Sequence, residues 1–401
     1  MTAPEKNDWD SRDPAVQRDQ LAAYDAMRAR CPVAHDDYLG YTLFRHEDVR
    51  YALEHPELFS SRVSTRHVAV PSGMDAPEHT AFRAINDRYY TPQRLAGFAP
   101  RFRAIIRNLV AALPRGQAVD VMDGFAQRYA MRIQNAFMGW PESLEAPLTA
   151  WIEKNRRATL RGDRAEIAAV ALEFDHYIRA LLQERRASAT DDITTELLHD
   201  VVHLPDGDRL MTEAELISLI RNWTVGELST VSAAAGIIVR FLAAHPAEQA
   251  RLRADTAAIP AAVEEIMRLE DPLVSNRRIT TCPVTLGGRT LPAGSRVTLG
   301  GRTLPAGSRV TLNWASVNRD EAAFADALAY RPQRDQSANL VYGAGIHACP
   351  GAPLARLELR LLMEELLSGT ADIALDASDP EPCTFAPYPV AGYRKVRVVV
   401  R

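Results

Sequence analysis

One cysteine lies in a segment suited to binding a metal. Residues 342–351 read Tyr-Gly-Ala-Gly-Ile-His-Ala-Cys-Pro-Gly, which places Cys349 after two glycines and just before an apolar run that begins at Ala352. Glycine lets the backbone turn tightly and approach a bulky group closely. The apolar run predicts a helix, and the free amides and dipole at a helix N-terminus stabilise a cysteine thiolate. The segment therefore suits a thiolate ligand, and a haem iron is one metal that takes such a ligand.

The same residues also allow simpler interpretations. A single cysteine is often only a small buried apolar residue, and a glycine-rich loop before a helix often binds phosphate. No Lys-Ser or Lys-Thr pair follows the glycines, which excludes a P-loop. His347 and Cys349 lack a second pair of ligands at the spacing of a zinc site. The residue types alone leave the haem site and the buried cysteine as alternatives.

Other polar residues have spacings that can serve either chemistry or structure. His79 and Arg83 are four residues apart, so both side chains lie on one face of a predicted helix, where a solvated surface is the usual environment. Glu265 and Arg268 have the spacing of an ion pair within a helix, which contributes only about 0.2–0.5 kcal/mol when it is exposed. Glu227 interrupts an apolar helix, which costs stability unless the carboxyl group is paired or functional.

A long helix must position Glu227. The sequence Thr-Glu-Ala-Glu at 212–215 has the pattern of a capping box, and His245-Pro246 indicates where the helix ends. A helix from Thr212 to about Ala244 spans roughly 50 Å at about 1.5 Å per residue. It is therefore predicted to cross the whole protein.

The composition excludes several classes of protein. The 401 residues are 47% hydrophobic and 24% charged, with a net charge of −4, which is typical of a globular protein and gives no general case for nucleic-acid or membrane binding. The four cysteines contain no C-x-x-C and no disulfide framework, as expected in a reducing cytosol. The N-terminal residues lack the apolar core of a secretion signal, and Arg240 breaks the longest apolar run before the ~20 residues of a membrane span. We expect a cytoplasmic protein that binds neither nucleic acid nor membrane.

The order of these motifs resembles the cytochrome P450 superfamily. Residues 342–351 resemble its cysteine loop, with Tyr342 where phenylalanine is usual, and residues 75–83 resemble its propionate-binding helix. Glu265-x-x-Arg268 resembles its structural Glu–Arg pair. The resemblance spans roughly residues 20–400. It implies a mainly α fold with a small β region, arranged as a single domain over residues 1–401.

The resemblance also implies a role for individual residues. Cys349 is expected to be the axial ligand, and the only metal-binding side chain, of a haem b. Trp223 lies one turn before Glu227, where it can face a substrate. The complete set comprises His79, Arg83, Arg278 and His347 for the haem propionates, Trp223, Leu273, Val274 and Tyr388 for the substrate, and Glu265 and Arg268 for folding.

The centre of the long helix departs from the family pattern, which is A/G-G-x-D/E-T. Thr230 matches the threonine, which in the family guides protonation of the bound oxygen. Glu227 stands at the usual second glycine, and Ser229 stands at the usual acid. An acid displaced by two residues points about 200° away around the helix. Glu227 therefore has two interpretations, an alternative proton donor or a partner for an arginine.

The resemblance implies a monooxygenase that uses O2 and two electrons to hydroxylate or oxidatively dealkylate a small apolar or aromatic molecule. The electrons are expected from an external ferredoxin and an NAD(P)H-dependent reductase, because no flavin or iron–sulfur domain follows. The missing acid beside Thr230 makes a peroxygenase of the same fold one alternative. A haem-binding protein without oxygenase activity is the other.

A tandem duplication interrupts the predicted β region. Residues 284–296 recur identically as residues 297–309, and each 13-residue copy has the pattern of a β-hairpin with a Gly-Gly turn. The family has one such unit. We predict that one copy fills the β position and that the other is extruded at the surface, far from the iron.

Overall fold

Helices make up most of the described chain. The computed structural model describes residues 7–64, 68–281, 297–299, 302–304 and 306–401. The α-helices in these ranges are α1 Pro14–Arg18, α2 Gln20–Arg30, α3 His46–Glu54, α4 Glu78–Tyr89, α5 Pro92–Ala111, α6 Gln127–Met138, α7 Glu145–Arg161, α8 Arg164–Ala187, α9 Ile193–Leu197, α10 Glu213–Gly226, α11 Ser232–Ala244, α12 Pro246–Ala254, α13 Ile259–Glu270, α14 Trp314–Val317 and α15 Ala352–Gly369.

Local sequence explains where several helices begin. The carboxylates of Asp163 and Asp192 accept hydrogen bonds from first-turn amides of α8 and α9, which have no partner within the helix. At the start of α10, the Glu215 amide donates to the Thr212 hydroxyl (3.3 Å), and the Thr212 amide donates to the Glu215 carboxylate (2.7 Å). The predicted capping box is confirmed.

Within the described residues, the strands form one sheet of five strands, one of four, and two hairpins. The five-stranded sheet has the order β1-β2-β10-β7-β3, with β2 and β10 parallel and the other pairs antiparallel. In the four-stranded sheet, β13 pairs with β11, β12 and β4, while β5-β6 and β8-β9 are the hairpins. The strands are β1 Val33–Asp36, β2 Gly40–Leu43, β3 Phe59–Ser60, β4 Ala118–Asp120, β5 Val201–Leu204, β6 Gly207–Leu210, β7 Ser275–Thr280, β8 Val297–Leu299, β9 Arg302–Leu304, β10 Arg309–Asn313, β11 Ile373–Leu375, β12 Cys383–Phe385 and β13 Tyr393–Val400.

The second copy of the duplicated unit belongs to this β region. Its residues supply the β8-β9 hairpin and the first residue of β10, which pairs with both β2 and β7. The first copy lies outside the described residues. The expectation that one copy is extruded falls on those residues and stays a prediction.

A continuous helix of 32 residues, Glu213–Ala244, runs through the core. We call it the central helix; it consists of α10, a π-helical turn at Glu227–Val231 and α11. Contrary to the sequence expectation, it is long and apolar enough to pass for a membrane span. However, 67% of its most apolar window is buried inside the protein, where it packs on α6, α8 and α13. It is a core helix.

The helix that follows Cys349 is fixed on three sides. α15 packs against α5, α13 and α11, and its buried face includes Leu354, Leu361 and Leu362. The cysteine loop, residues 342–351, is thereby attached to a rigid element beside the central helix. The predicted mainly α fold with a small β region is confirmed.

Candidate functional site

A cavity of about 370 Å³ lies between the central helix and the cysteine loop. This volume is within the range of about 300–1,000 Å³ that is usual for ligand pockets. Nine of the residues that the sequence analysis singled out line it: His79, Arg83, Trp223, Glu227, Thr230, Leu273, Arg278, His347 and Cys349.

The cysteine loop depends on two glycines with left-handed backbone conformations. Gly343 and Gly345 both have φ of 67°, which side chains disfavour. A Cβ atom on Gly345 would also lie 2.5 Å from the carbonyl oxygen of Leu53 in α3, so a side chain has no room there. The loop closes with a 2.8 Å hydrogen bond from the Cys349 amide to the Tyr342 carbonyl. The free surface of Cys349 faces the cavity.

The Cys349 thiol is subject to opposing influences. Burial raises the pKa of Cys349, whereas the amides of Gly351 and Ala352 and the charge of Arg83 lower it. The helix N-terminus lowers the pKa of Cys349, as expected. Burial raises this pKa by more, so the pKa of Cys349 is raised when no metal is bound. A bound metal cation reverses this balance because it binds the thiolate form.

Arg278, His79 and His347 line the same cavity, and we call them the Arg278 cluster. Arg278 is its cation, and the carboxylate of Asp75 acts to raise the pKa of all three groups. The Arg278 side chain is buried, donates a hydrogen bond to the Arg277 carbonyl, and makes no ion pair within the described ranges. Burial lowers the pKa of Arg278 to about 10. The rings of His79 and His347 lie 4.2 Å apart, and Nδ1 of His79 is buried with no partner among the described residues. Burial, together with Arg278 and His79, lowers the pKa of His347 to about 3. The cluster has the composition of a receptor for an anionic group.

Arg83 and His347 are also fastened to neighbouring elements. The Arg83 guanidinium donates to the carbonyls of Ile346 (3.1 Å) and Ala348 (2.5 Å), so α4 is attached directly to the cysteine loop. Nε2 of His347 lies 3.0 Å from the Ser61 hydroxyl, a partner that sequence reasoning missed because it lies far away in the chain. A buried cation, an unpartnered imidazole nitrogen and a thiol on one cavity therefore fit a haem, with propionates at the first two and iron at the third.

The π-helical turn brings Glu227 and Thr230 to the cavity together. Ser229, which stands at the usual position of the acid, does not line the cavity, and its hydroxyl donates to the Val225 carbonyl (2.7 Å). π-Helical turns within α-helices occur frequently at functional sites. The acid that the family places beside the threonine is absent here, but a different acid reaches the same space.

Glu227 has a carboxyl partner that sequence reasoning missed. Glu358 of α15 is fully buried and lies within hydrogen-bonding reach of Glu227. Burial raises the pKa of Glu227 to about 7 and that of Glu358 well above its ordinary value, with Glu227 adding to the latter effect. The sequence held a detectable sign of this, because Glu358 follows Leu354 by four residues on the apolar face of a helix.

The segment 68–72 covers part of the cavity and is held by the central helix. The Ser218 hydroxyl donates to the Val68 carbonyl and accepts from the Val70 amide, both at 3.0 Å. The Asn222 amide donates to the Val70 carbonyl at 2.9 Å. Since Val70, Pro71 and Ser72 line the cavity, these bonds fix one of its walls.

Two residues expected to bind substrate lie elsewhere. Val274 and Tyr388 are buried in a cluster with Trp9, Tyr24 and Phe44 and are not among the residues that line the cavity. Leu273 does line it, and successive residues of an extended chain point in opposite directions, which turns Val274 away. The sequence expectation for these two positions is therefore corrected.

Glu265 and Arg268 form a buried ion pair outside the cavity. The two side chains are fully buried and joined by two hydrogen bonds of 2.8 Å. Arg334, Gln336 and the amide of Arg331 also donate to the Glu265 carboxylate. Burial tends to raise the pKa of Glu265, but these hydrogen bonds, above all that from Arg268, hold it below its ordinary value.

Comparisons with known proteins agree with this geometry. The family model "Cytochrome P450" matches residues 295–369. The chain is 31% identical to the cyclomarin C epoxidase CymV of Salinispora arenicola, over 94% of each protein. It is 30% identical to the erythromycin C-12 hydroxylase of Saccharopolyspora erythraea, over 88% of this chain and 87% of that one. The structure of a mutant of P450 EryK in complex with erythromycin B superimposes with a TM-score of 0.82 at 29% identity, covering 97% of both chains. This chain therefore belongs to the cytochrome P450 superfamily of haem-dependent monooxygenases and resembles its bacterial members.

Proposed function

We propose that the protein is a haem b monooxygenase in which Cys349 is the axial ligand and the central helix supplies protons. The observation that carries this proposal is that one cavity is lined by Cys349, by the Arg278 cluster and by Glu227 with Thr230. The absence of a C-x-x-C-His sequence, which attaches haem covalently, favours the b type. We also propose that residues 1–401 form one domain.

Four side chains and one sulfur atom would hold the cofactor. Arg278 and the two imidazoles, His79 and His347, would bind the propionates, because a buried guanidinium that makes no ion pair within the described residues gains from a carboxylate. Arg83 contributes from α4 while it fixes the cysteine loop. When bound, the haem supplies the redox chemistry that activates O2.

Glu227 and Thr230 handle protons on the central helix. A carboxyl group with a pKa of about 7 can both hold and release a proton near neutral pH. The Thr230 hydroxyl lines the cavity beside it and can pass the proton onward. The raised pKa and the missing counter-ion favour the proton donor over the alternative in which Glu227 pairs with an arginine.

The substrate is a small, mainly apolar or aromatic molecule. The apolar residues that line the cavity include Val70, Trp223, Val231 and Leu273. Burial of apolar surface against such walls is the main source of binding free energy. Two relatives are named as an epoxidase of cyclomarin C and a hydroxylase of erythromycin, which supports oxygenation of an organic molecule as the reaction. Hydroxylation or oxidative dealkylation is the reaction expected.

Electrons are supplied by a separate ferredoxin and an NAD(P)H-dependent reductase, and the enzyme works in the cytoplasm. Cys31, Cys349 and Cys383 are free thiols, which fits a reducing compartment.

The first test is the absorption spectrum of the dithionite-reduced protein with carbon monoxide. We expect the red-shifted Soret band of thiolate ligation in the wild type and its complete loss in Cys349→Ala. Cys383→Ala is the matched control, because it removes a thiol on β12 that does not line the cavity. It is expected to keep the band.

The second half of the test supplies ferredoxin, reductase and NAD(P)H with candidate apolar substrates. Oxygenated product is expected in proportion to NAD(P)H consumed. A wild-type spectrum without the thiolate band, or product formed with hydrogen peroxide but never with the electron-transfer proteins, would contradict the proposal.

A further inference from the structure

Two carboxyl groups from different helices lie together in the interior. Glu227 projects from the π-helical turn of the central helix, and Glu358 projects from α15, the helix that begins after Cys349. Glu358 has no exposed surface, whereas Glu227 has surface that opens to the cavity. The two groups lie within hydrogen-bonding reach of each other.

Neither carboxyl group has the partners that buried acids normally require. Among the described residues, no N–H or O–H group donates to either oxygen of Glu358 or to Oε1 of Glu227. No arginine, lysine or histidine pairs with them there. The titratable groups that influence them are Tyr90 at the end of α4, Tyr129 of α6 and Cys349, none of which is a cation. Buried carboxylates without donors cost several kcal/mol, roughly, so at least one of the two must be protonated.

The protonation order follows from their positions. Glu358 is fully buried, and burial together with Glu227 raises its pKa well above the ordinary value. Glu358 therefore keeps its proton near neutral pH and can donate it in a hydrogen bond. Glu227 is the group that exchanges, since it alone opens to the cavity beside Thr230.

We propose that Glu358 is a positioning residue whose protonated carboxyl group donates a hydrogen bond to Glu227 and holds it ready to release a proton beside Thr230. This inference rests on the proposed function for its purpose, although the hydrogen bond itself does not. In the proton-transfer step, the Glu227 O–H bond breaks, the Thr230 hydroxyl oxygen accepts that proton, and the proton that Thr230 carried passes to the O2 that the external electrons have reduced. The Glu227 carboxylate that remains is stabilised by the Glu358 O–H.

The proposal predicts different effects for two substitutions of Glu358. Glu358→Gln keeps an N–H donor toward Glu227, whereas Glu358→Leu removes the donor and leaves an apolar neighbour. Loss of a hydrogen bond to a charged group raises the pKa of a carboxyl group by about one to two units. A role in packing alone predicts the reverse order of tolerance, because leucine suits an apolar core and an unpaired amide does not.

The experiment is a pH titration of the haem-loaded protein by infrared difference spectroscopy, which follows the carbonyl stretch of protonated carboxyl groups. We expect a band that titrates near pH 7 in the wild type and is absent in Glu227→Gln. Its midpoint should rise by about one to two pH units in Glu358→Leu and stay within about half a unit in Glu358→Gln. Glu358→Met replaces the leucine variant if that variant does not load haem.

A parallel measurement separates this inference from the proposed function. With ferredoxin, reductase and NAD(P)H, Glu358→Leu should release several-fold more hydrogen peroxide per NAD(P)H than either the wild type or Glu358→Gln. An unchanged midpoint in Glu358→Leu would overturn the inference. If the midpoints shift as expected but the wild type forms no oxygenated product, the carboxyl pair stands and the proposed function falls.

Discussion

Two clusters of buried glutamates within the described residues differ in how their carboxyl groups are paired. In the first, Glu265 receives hydrogen bonds from Arg268, Arg334, Gln336 and a backbone amide. In the second, Glu227 and Glu358 have only each other among the described residues. Both lie deep in the molecule, but only the first has its charge neutralised by a cation.

The difference indicates what each cluster contributes. A carboxylate with all its donors in place holds its neighbours in one arrangement, and Arg268 extends that arrangement to the carbonyls of Asn318 and Ala327. A carboxyl pair without donors gains no such stability, so its retention needs another reason. A group that lowers the stability of the protein and lines a cavity typically takes part in the reaction there.

Removing the cation from the first cluster should have the largest effect. Arg268→Ala leaves Glu265 buried beside fewer donors, and breaking a buried ion pair costs about 3–5 kcal/mol of unfolding free energy. Urea denaturation of the purified variant measures the loss. The matched control is Arg50→Ala, which breaks an exposed pair with Glu54 and should cost less than about 1 kcal/mol. Equal losses in the two variants would contradict the structural role of Arg268.

The second cluster should make stability depend on pH. Because the pKa of Glu227 is raised to about 7 in the folded state, native protein holds more protons than unfolded protein between about pH 4 and pH 7. Stability therefore falls as pH rises through this window. Relative to the double variant Glu227→Gln/Glu358→Gln, the wild type should lose at least about 2 kcal/mol between about pH 5 and pH 8, because the raised pKa of Glu358 acts in the same direction as that of Glu227.

Urea denaturation at a series of pH values tests this dependence. Glu265 gives the opposite sign, since its lowered pKa makes its contribution disappear only as pH falls through the folded-state pKa. If the free energies of unfolding of the wild type and the double variant change in parallel with pH, the carboxyl groups of the second cluster do not have raised pKa values.

Removing one hydrogen-bond donor from the first cluster should lower the free energy of unfolding least. Gln336→Ala removes one 3.0 Å hydrogen bond to Glu265 and one that Asn339 donates to Gln336, while Arg268, Arg334 and the amide of Arg331 still donate to Glu265. The expected loss is about 0.5–1.5 kcal/mol in urea denaturation. A loss as large as that of Arg268→Ala would mean that the donors act as one unit and do not substitute for each other.

The sequence predicted what depends on residues close together in the chain. The cysteine loop, the capping box at Thr212 and the Glu265–Arg268 spacing are all local patterns, and each is found where it was predicted. Spacing did not reveal that the Glu–Arg pair is fully buried, because burial depends on the elements that pack over it.

What escaped prediction depends on contacts between distant elements. Glu358 reaches Glu227 only because α15 lies against the central helix. Ser61 reaches His347 only because the end of β3 lies beside the cysteine loop. Val274 was assigned to the cavity by its neighbours in the chain, but strand alternation turns it into the opposite cluster. The π-helical turn leaves no sequence pattern that single-chain reasoning recognises.

The bonds from Ser218 and Asn222 to segment 68–70 have a consequence for access to the cavity. These two residues lie on the same helix that carries Glu227 and Thr230 a few turns later. A molecule large enough to push Val70 and Pro71 outward must therefore pull on that helix as it enters. Displacement of this wall and alignment of the proton-carrying residues are in this way mechanically linked, so ligands large enough to displace the wall should disturb turnover.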